Sequence, residues 1–118
     1  MAETHTPDNL IAGTTQLVSR AVTVAAGASL PRGAVLGKIT ADGKYKLSDS
    51  VSRDGSETPS VVLAEPVDAS AADVTHAAVY VKGEFNENAL TFGSGITADS
   101  ARDDLRGVGI YIKSTVGA

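Results

Sequence analysis

The segment Val22–Leu47 constrains the fold of this chain most, because its residue order specifies strands and the turns between them. Val22 and Val24 flank a threonine, which is the period-two pattern of a half-buried strand. Pro31 fixes φ and has no N–H to donate to a sheet ladder, and a glycine stands close on each side of it. We therefore predict a strand that ends before Gly27, followed by a turn over residues 27–33.

A β-hairpin is predicted for residues 34–47. Val35, Leu36 and Ile39 form a short apolar run that is closed by Asp42-Gly43, a dipeptide typical of tight turns. The alternation resumes beyond the turn, so the second strand of the hairpin should end at about residue 47.

The rest of the chain predicts three further strands, a loop and short helices. Residues 48–59 are rich in Ser, Asp and Gly and favour a solvated loop. The strands are Ser60–Ala64, Val74–Glu84 and Val108–Ile112, the last with Tyr111 outward. In the second of them, Val79 and Val81 should share the core face, and Tyr80 and Lys82 the wet face. A short helix is predicted at Thr97–Arg106, and a short helix or turn capped by Asn86 at residues 85–92. The expected fold is mainly β, a β-rich α+β domain of small barrel or tulip-like form, with one or two short helices and a mobile N-terminal arm.

The composition favours a single domain that associates with copies of itself. The chain has 118 residues, of which 42% are hydrophobic but only 4% aromatic, and it contains no Trp. Its core must therefore be built from aliphatic side chains, each contributing roughly 1.5–3 kcal/mol when fully buried. A core of this kind would benefit from additional burial in an oligomer.

The charge pattern argues against two classes of partner. The net charge is −4 and the basic residues are dispersed, whereas nucleic acids and anionic membranes attract basic stripes. No apolar run approaches membrane-spanning length, and the acidic N-terminus does not resemble a secretory signal. The chain has no cysteine, so disulfides and thiolate metal sites are excluded.

The N-terminal arm is predicted to comprise residues 1–20, and its first part, residues 1–13, has too few apolar groups to order itself. Its segment of residues 14–20 is rich in β-forming residues but has no evident partner strand. It is either a frayed tail or a segment that becomes ordered by adding a strand to another molecule. The candidate contact residues are Asn9, Leu10, Ile11, Thr14, Thr15, Leu17 and Val18.

No constellation of residues points to catalysis or to a metal. His5 lies in the arm and His76 in a predicted strand, and no motif for a nucleophile, a phosphate loop or a zinc protease occurs. The acidic residues Asp99, Asp103 and Asp104 favour a solvated helix face. We expect no catalytic residues, no metal ligands and no cofactor.

One alternative keeps a chemical role for Lys44. A hairpin with a lysine near its tip resembles lipoyl- or biotinyl-carrier domains, which present one lysine for acylation. Here Lys44 follows Ala41-Asp42-Gly43, so the glycine moves it off the apex of the turn.

The order of several motifs resembles the head decoration proteins of tailed bacteriophages, the lambda-type D family. The motifs are LPRGAVLGKI at 30–39, PSVVLAEPVDAS at 59–70, HAAVYVKGEFNENAL at 76–90 and GVGIYI at 107–112. The resemblance implies a structural protein that binds the major capsid protein as a homotrimer at three-fold sites of the expanded head. It also implies a position on the exterior of the virion, after assembly in the host cytoplasm. The arm would be disordered until it adds to the sheet of a capsid subunit, and residues 21–118 would form a single β-rich decoration domain.

Overall fold

The computed structural model describes residues 17–113, which form eight strands, one α-helix and one 3₁₀ turn. The strands are β1 (Val18–Val24), β2 (Ser29–Leu30), β3 (Val35–Lys38), β4 (Tyr45–Leu47), β5 (Pro59–Leu63), β6 (Val67–Asp68), β7 (Val74–Asn86) and β8 (Ile110–Lys113). The helix α1 is Ala98–Arg106, and the 3₁₀ turn is Glu87–Ala89.

Five strands close into a small barrel in the order β1-β4-β3-β5-β7, with β7 pairing back onto β1. The mainly β fold with a barrel is therefore confirmed. The joint between β1 and β4 is narrow, since only Val24 and Tyr45 are paired there. Arg20 reinforces it, because its guanidinium Nη2 donates a hydrogen bond of 3.0 Å to the hydroxyl of Tyr45.

The described residues contain two apolar clusters, one inside the barrel and one on its outer surface beneath α1. Along β5, Val61 and Leu63 point into the barrel while Val62 points into the outer cluster. The same division separates Leu36 from Val35 on β3. Both strands are buried on both faces, which explains why their sequences are continuous apolar runs rather than alternating ones. The outer cluster comprises Val35, Val62, Phe85, Leu90, Ala101, Leu105, Ile110 and Ile112.

The predicted hairpin is present, because β3 and β4 pair antiparallel with Leu36 opposite Leu47. Gly43 has a φ of 75°, which a glycine adopts without steric cost. Residues 27–33 are more than the predicted turn, because β2 lies within them and pairs with β6. That pairing is long range and leaves no periodic signal in two residues.

The prediction for the strand beginning at Val74 was correct in kind but too short, and its wet face was wrong in part. β7 has 13 residues, and Tyr80, placed on the wet face, packs against the outer cluster. The ring of Tyr80 lies 5.4 Å from that of Phe85 between centroids. A strand pattern shows which residues share a face, but not whether a distant helix will cover that face.

The predicted helix and final strand are present. Thr97 caps α1 by accepting a hydrogen bond from the backbone N–H of Ser100, and Gly107 follows the last residue. Asn86 caps the 3₁₀ turn in the same way. β8 runs parallel to β7 and points Ile110 and Ile112 inward, while Tyr111 points outward.

The loop of residues 48–58 was predicted to be solvated, but part of it is packed against the domain. Ser48 and Ser56 are fully buried, and the backbone of Ser56 lies so close to β3 that a Cβ on Gly37 would be 2.1 Å from its carbonyl oxygen. Composition predicted the loop, but its packing depends on this close approach between two distant segments.

Candidate functional site

The candidate contact residues lie partly outside the described structure. Asn9, Leu10, Ile11, Thr14 and Thr15 are outside the described residues. Leu17 and Val18 are described, and they lie where the N-terminal segment enters the barrel.

Residues 18–20, which the sequence analysis included in the arm, are part of β1 and pair with β7. Val18 lies opposite Lys82. The side chain of Leu17 covers Gly83, since a Cβ on that glycine would be 2.6 Å from Leu17 Cδ2. Leu17 and Val18 are nevertheless each 38% exposed. Both side chains therefore contact or flank β7 and are still accessible to a partner.

Two more exposed apolar side chains, from β8 and from the turn that precedes it, lie beside the same part of β7. Tyr111 is opposite Glu84 and is 40% exposed. Val108, which is 50% exposed, precedes Gly109, whose carbonyl oxygen accepts a hydrogen bond of 3.2 Å from the N–H of Gly83. These four side chains surround the section Lys82–Glu84, and we call them the arm-root patch: Leu17, Val18, Val108 and Tyr111.

Sequence reasoning found only part of this patch. Leu17 and Val18 were candidates, and Tyr111 was placed outward by alternation. Val108 was assigned to a strand, whereas it lies in the turn between α1 and β8. The signal that marks it is its position between Gly107 and Gly109, because a valine flanked by two glycines at a helix end is readily left exposed.

Next to the patch, the sheet ends at β8. Among residues 17–113, β7 is the only strand that pairs with β8, so the other edge of β8 has no partner strand there. An edge of this kind presents main-chain N–H and C=O groups to an incoming extended segment.

The environment of Lys44 disfavours the carrier-domain alternative. Its Nζ lies 2.5 Å from Asp73 Oδ2, and the same carboxylate accepts a hydrogen bond from the N–H of Ala26. The hydrogen bond to Asp73 raises the pKa of Lys44 and lowers that of Asp73. Acylation requires the neutral amine, so this ion pair opposes it.

A groove of about 290 Å³ at one end of the barrel is a poor candidate for an anion site. Half of its lining consists of the small residues of segment 25–28, and the rest of Leu30, Lys46, Leu47 and Asp49. The N–H groups of Ala25 and Gly27 already donate to the carbonyls of Tyr45 and Ala69, and that of Ala26 to Asp73. Donors satisfied in this way are not available to a ligand.

The described part of the chain holds no group of three or more His, Cys, Asp or Glu side chains that could bind a metal. His76 is exposed at the start of β7, with a φ of 61°. Within the same residues, no helix has the length and apolar character needed to cross a membrane.

Comparison with known proteins identifies the family. The family model described as bacteriophage lambda head decoration protein D matches residues 1–110, so the match includes both the barrel and the segment that precedes it. A search of curated proteins finds no match. The family is structural, which fits the expectation of a protein that is not an enzyme. The chain therefore belongs to the bacteriophage lambda head decoration protein D family, whose members are components of the phage head.

Proposed function

We propose that this protein binds as a homotrimer at three-fold sites of the expanded phage head and stabilises the shell against the pressure of the packaged DNA. The observation that carries the proposal is the family match, which covers 110 residues and begins at residue 1. The partner is the major capsid protein, the site is the exterior of the virion, and assembly takes place in the host cytoplasm.

The N-terminal arm supplies the attachment in this proposal. Residues 9–18 contain two aliphatic pairs, Leu10-Ile11 and Leu17-Val18, around the β-forming Thr14-Thr15. The part of this segment that precedes Leu17 becomes ordered as a strand when a capsid subunit provides a sheet edge, whereas Leu17 and Val18 already lie against β7. Each main-chain hydrogen bond contributes roughly 0.5–1.5 kcal/mol, and each aliphatic side chain that becomes fully buried contributes roughly 1.5–3 kcal/mol. These gains are set against an ordering cost of about 1–2 kcal/mol per residue.

Because these terms nearly cancel for one arm, the trimer matters. Three arms on one trimer bind together, and such multivalency raises overall affinity by roughly 10²–10⁴ when all sites can be reached at once. The composition of the core also supports association. Among the largest fully buried side chains of the described residues, Phe85 is the only aromatic one, and an otherwise aliphatic core of this kind benefits from additional burial between copies.

Deletion of residues 1–16 tests the role of the arm. The deletion stops before Leu17 so that β1 and its pairing with β7 remain intact. We expect an unchanged melting temperature, much weaker co-sedimentation with expanded heads, and loss of the protection of those heads against heat or chelators. A matched control deletes residues 1–8 only, which leaves every candidate contact residue in place. A 1–16 deletion that decorates heads as tightly as the intact protein would show that the arm is a frayed tail.

The trimer is tested separately by light scattering on the free protein and by the stoichiometry on decorated heads. Three copies per three-fold site are expected on the head. A stable dimer in solution would contradict the proposal.

A further inference from the structure

We propose that the arm-root patch is a second contact with the capsid subunit, made by the folded domain rather than by the arm. The inference rests on the proposed function, because it requires that the arm bind the capsid. It adds Val108 and Tyr111, from the other end of the chain, to the interface, together with the edge of β8 that has no partner strand within residues 17–113.

The exposed apolar side chains of the described residues are grouped on one part of the surface. Single exposed aliphatic residues are normal on a protein surface. Here four of the five large hydrophobic side chains that are exposed in the described residues surround one three-residue section of β7. The fifth, Val51, is 75% exposed on the loop of residues 48–58. Grouped exposure is the usual mark of an interaction surface.

The length of the chain between the candidate contact residues and Leu17 limits how far from the patch the capsid subunit can lie. Leu17 belongs to the patch and follows the candidate contact residues Thr14 and Thr15 by two to three positions in the chain. An extended chain spans at most about 3.3–3.6 Å per residue. Residues 14–16 therefore reach only about 10 Å from Leu17. A capsid strand that pairs with Thr14 and Thr15 is held close to the patch, so the same subunit is the partner that covers it.

The main chain of β8 beside the patch can pair with an incoming strand. The outer edge of β8 has no partner strand within residues 17–113, and Tyr111 lies in the middle of that strand. An extended capsid segment can pair with this edge while its apolar side chains cover Val108 and Tyr111. The partner is thus an extended, partly apolar segment of the capsid subunit.

The test compares a double variant, Val108→Ser with Tyr111→Ser, with the matched control Val51→Ser. Affinity is measured by co-sedimentation with expanded heads assembled without this protein, and the melting temperature and light scattering of the free protein are recorded alongside. The double variant is expected to bind roughly tenfold or more weakly, because apolar anchors in an interface core commonly have effects of this size. The control is expected to bind as the wild type does.

Val108→Ser alone guards against misfolding, since Val108 is half exposed in a turn outside β8. It should weaken binding in the same direction with an unchanged melting temperature. Normal binding by both the single and the double variant would overturn the inference while leaving the proposed function intact. If the wild type itself fails to sediment with heads, the proposed function fails, and this inference fails with it.

Two further outcomes identify other occupants of the patch, and each overturns the inference. If the double variant changes the oligomeric state of the free protein, the patch is a contact between copies of this chain. The other occupant is the arm itself, which is tested by combining the double variant with Leu10→Ser and Ile11→Ser. Independent capsid contacts should give effects that multiply in affinity, whereas a patch that only holds the arm should show no effect once the arm is altered.

Discussion

The carboxylate of Asp54 fastens the loop of residues 48–58 to the β3–β4 hairpin. Its Oδ1 accepts hydrogen bonds from the N–H and the hydroxyl of Ser56, at 3.0 and 2.5 Å. Asp54 Oδ2 lies 3.0 Å from Lys46 Nζ, and the main-chain carbonyl of Asp54 accepts a hydrogen bond from the N–H of Thr40. The hydrogen bonds from Ser56, followed by the one from Lys46, hold the pKa of Asp54 well below its usual range.

This lowered pKa predicts a loss of stability in acid. Because the folded-state pKa of Asp54 is below the unfolded value of about 3.9, its stabilising effect is complete above that value and is lost as the pH falls through the folded one. We expect the free energy of unfolding to fall on acidification below about pH 5, and to fall less steeply in Asp54→Asn. Urea melts across this range measure it. Asp103→Asn, on the exposed face of α1, is the control, and an equal flattening by the control would contradict the assignment.

An alanine at position 37 should clash with the backbone of Ser56. Its φ is in the ordinary range, so Gly37→Ala adds no backbone strain, but the new Cβ would lie 2.1 Å from the carbonyl oxygen of Ser56. Moving a backbone segment to relieve such a contact costs about 1–3 kcal/mol. Gly107→Ala is the matched control, since its Cβ would meet nothing closer than 3.5 Å. Equal melting temperatures for the two variants would contradict the packing of the loop on β3.

At the scale of elements, α1 is held by its apolar face rather than by its charges. Ala101 and Leu105 are fully buried against the outer cluster, whereas the aspartates of the helix face solvent. Arg102 adds ion pairs to Asp99 and Glu87 at 2.6 and 2.8 Å, of which the pair with Asp99 is exposed and the pair with Glu87 is half-buried. Pairs of this kind contribute little, typically 0–1 kcal/mol.

Leu105→Ala should therefore destabilise the domain by about 2–5 kcal/mol, because it leaves a cavity between α1 and the barrel. Thermal or urea unfolding measures the effect. Val51→Ala is the matched control, since that side chain is 75% exposed and its loss should change stability by less than about 0.5 kcal/mol. A similar small effect at Leu105 would show that α1 does not pack as described.

At the scale of the whole molecule, the barrel is unevenly protected. β3 and β5 are buried on both faces, while residues 18–21 of β1 are exposed and β1 joins β4 through a single residue pair. Local opening is easiest where few buried contacts must be broken. The most exposed strand is also the one that is continuous with the arm.

Native-state hydrogen exchange should rank the strands accordingly. We expect the amides of β3 and β5 to exchange slowest and those of residues 18–21 fastest among the barrel strands. Measuring exchange again on decorated heads adds a second readout, because capsid binding at the arm root should slow the amides of β1 and β8. Uniform protection of all barrel strands in the free protein would contradict the prediction.

The sequence by itself determined the features that depend on neighbouring residues. Asp42-Gly43 predicted the hairpin, the residue pattern of Thr97–Arg106 predicted the helix, and the alternation of residues 110–112 oriented β8. Turn geometry, helix capping and the period of a strand are local properties of a few consecutive residues. The order of these motifs also carried the family resemblance, and the family match confirms it.

Only the tertiary structure decided which distant segments meet. It pairs Val18 with Lys82 and β2 with β6, and it covers Tyr80 with the outer cluster. It also brings Leu17 against Gly83, whose N–H donates a hydrogen bond to the carbonyl of Gly109. Contacts between residues far apart in the chain depend on the packing of the whole domain, so no local pattern specifies them. The arm-root patch is of this kind, because its members come from opposite ends of the sequence and share a surface only after the barrel has closed.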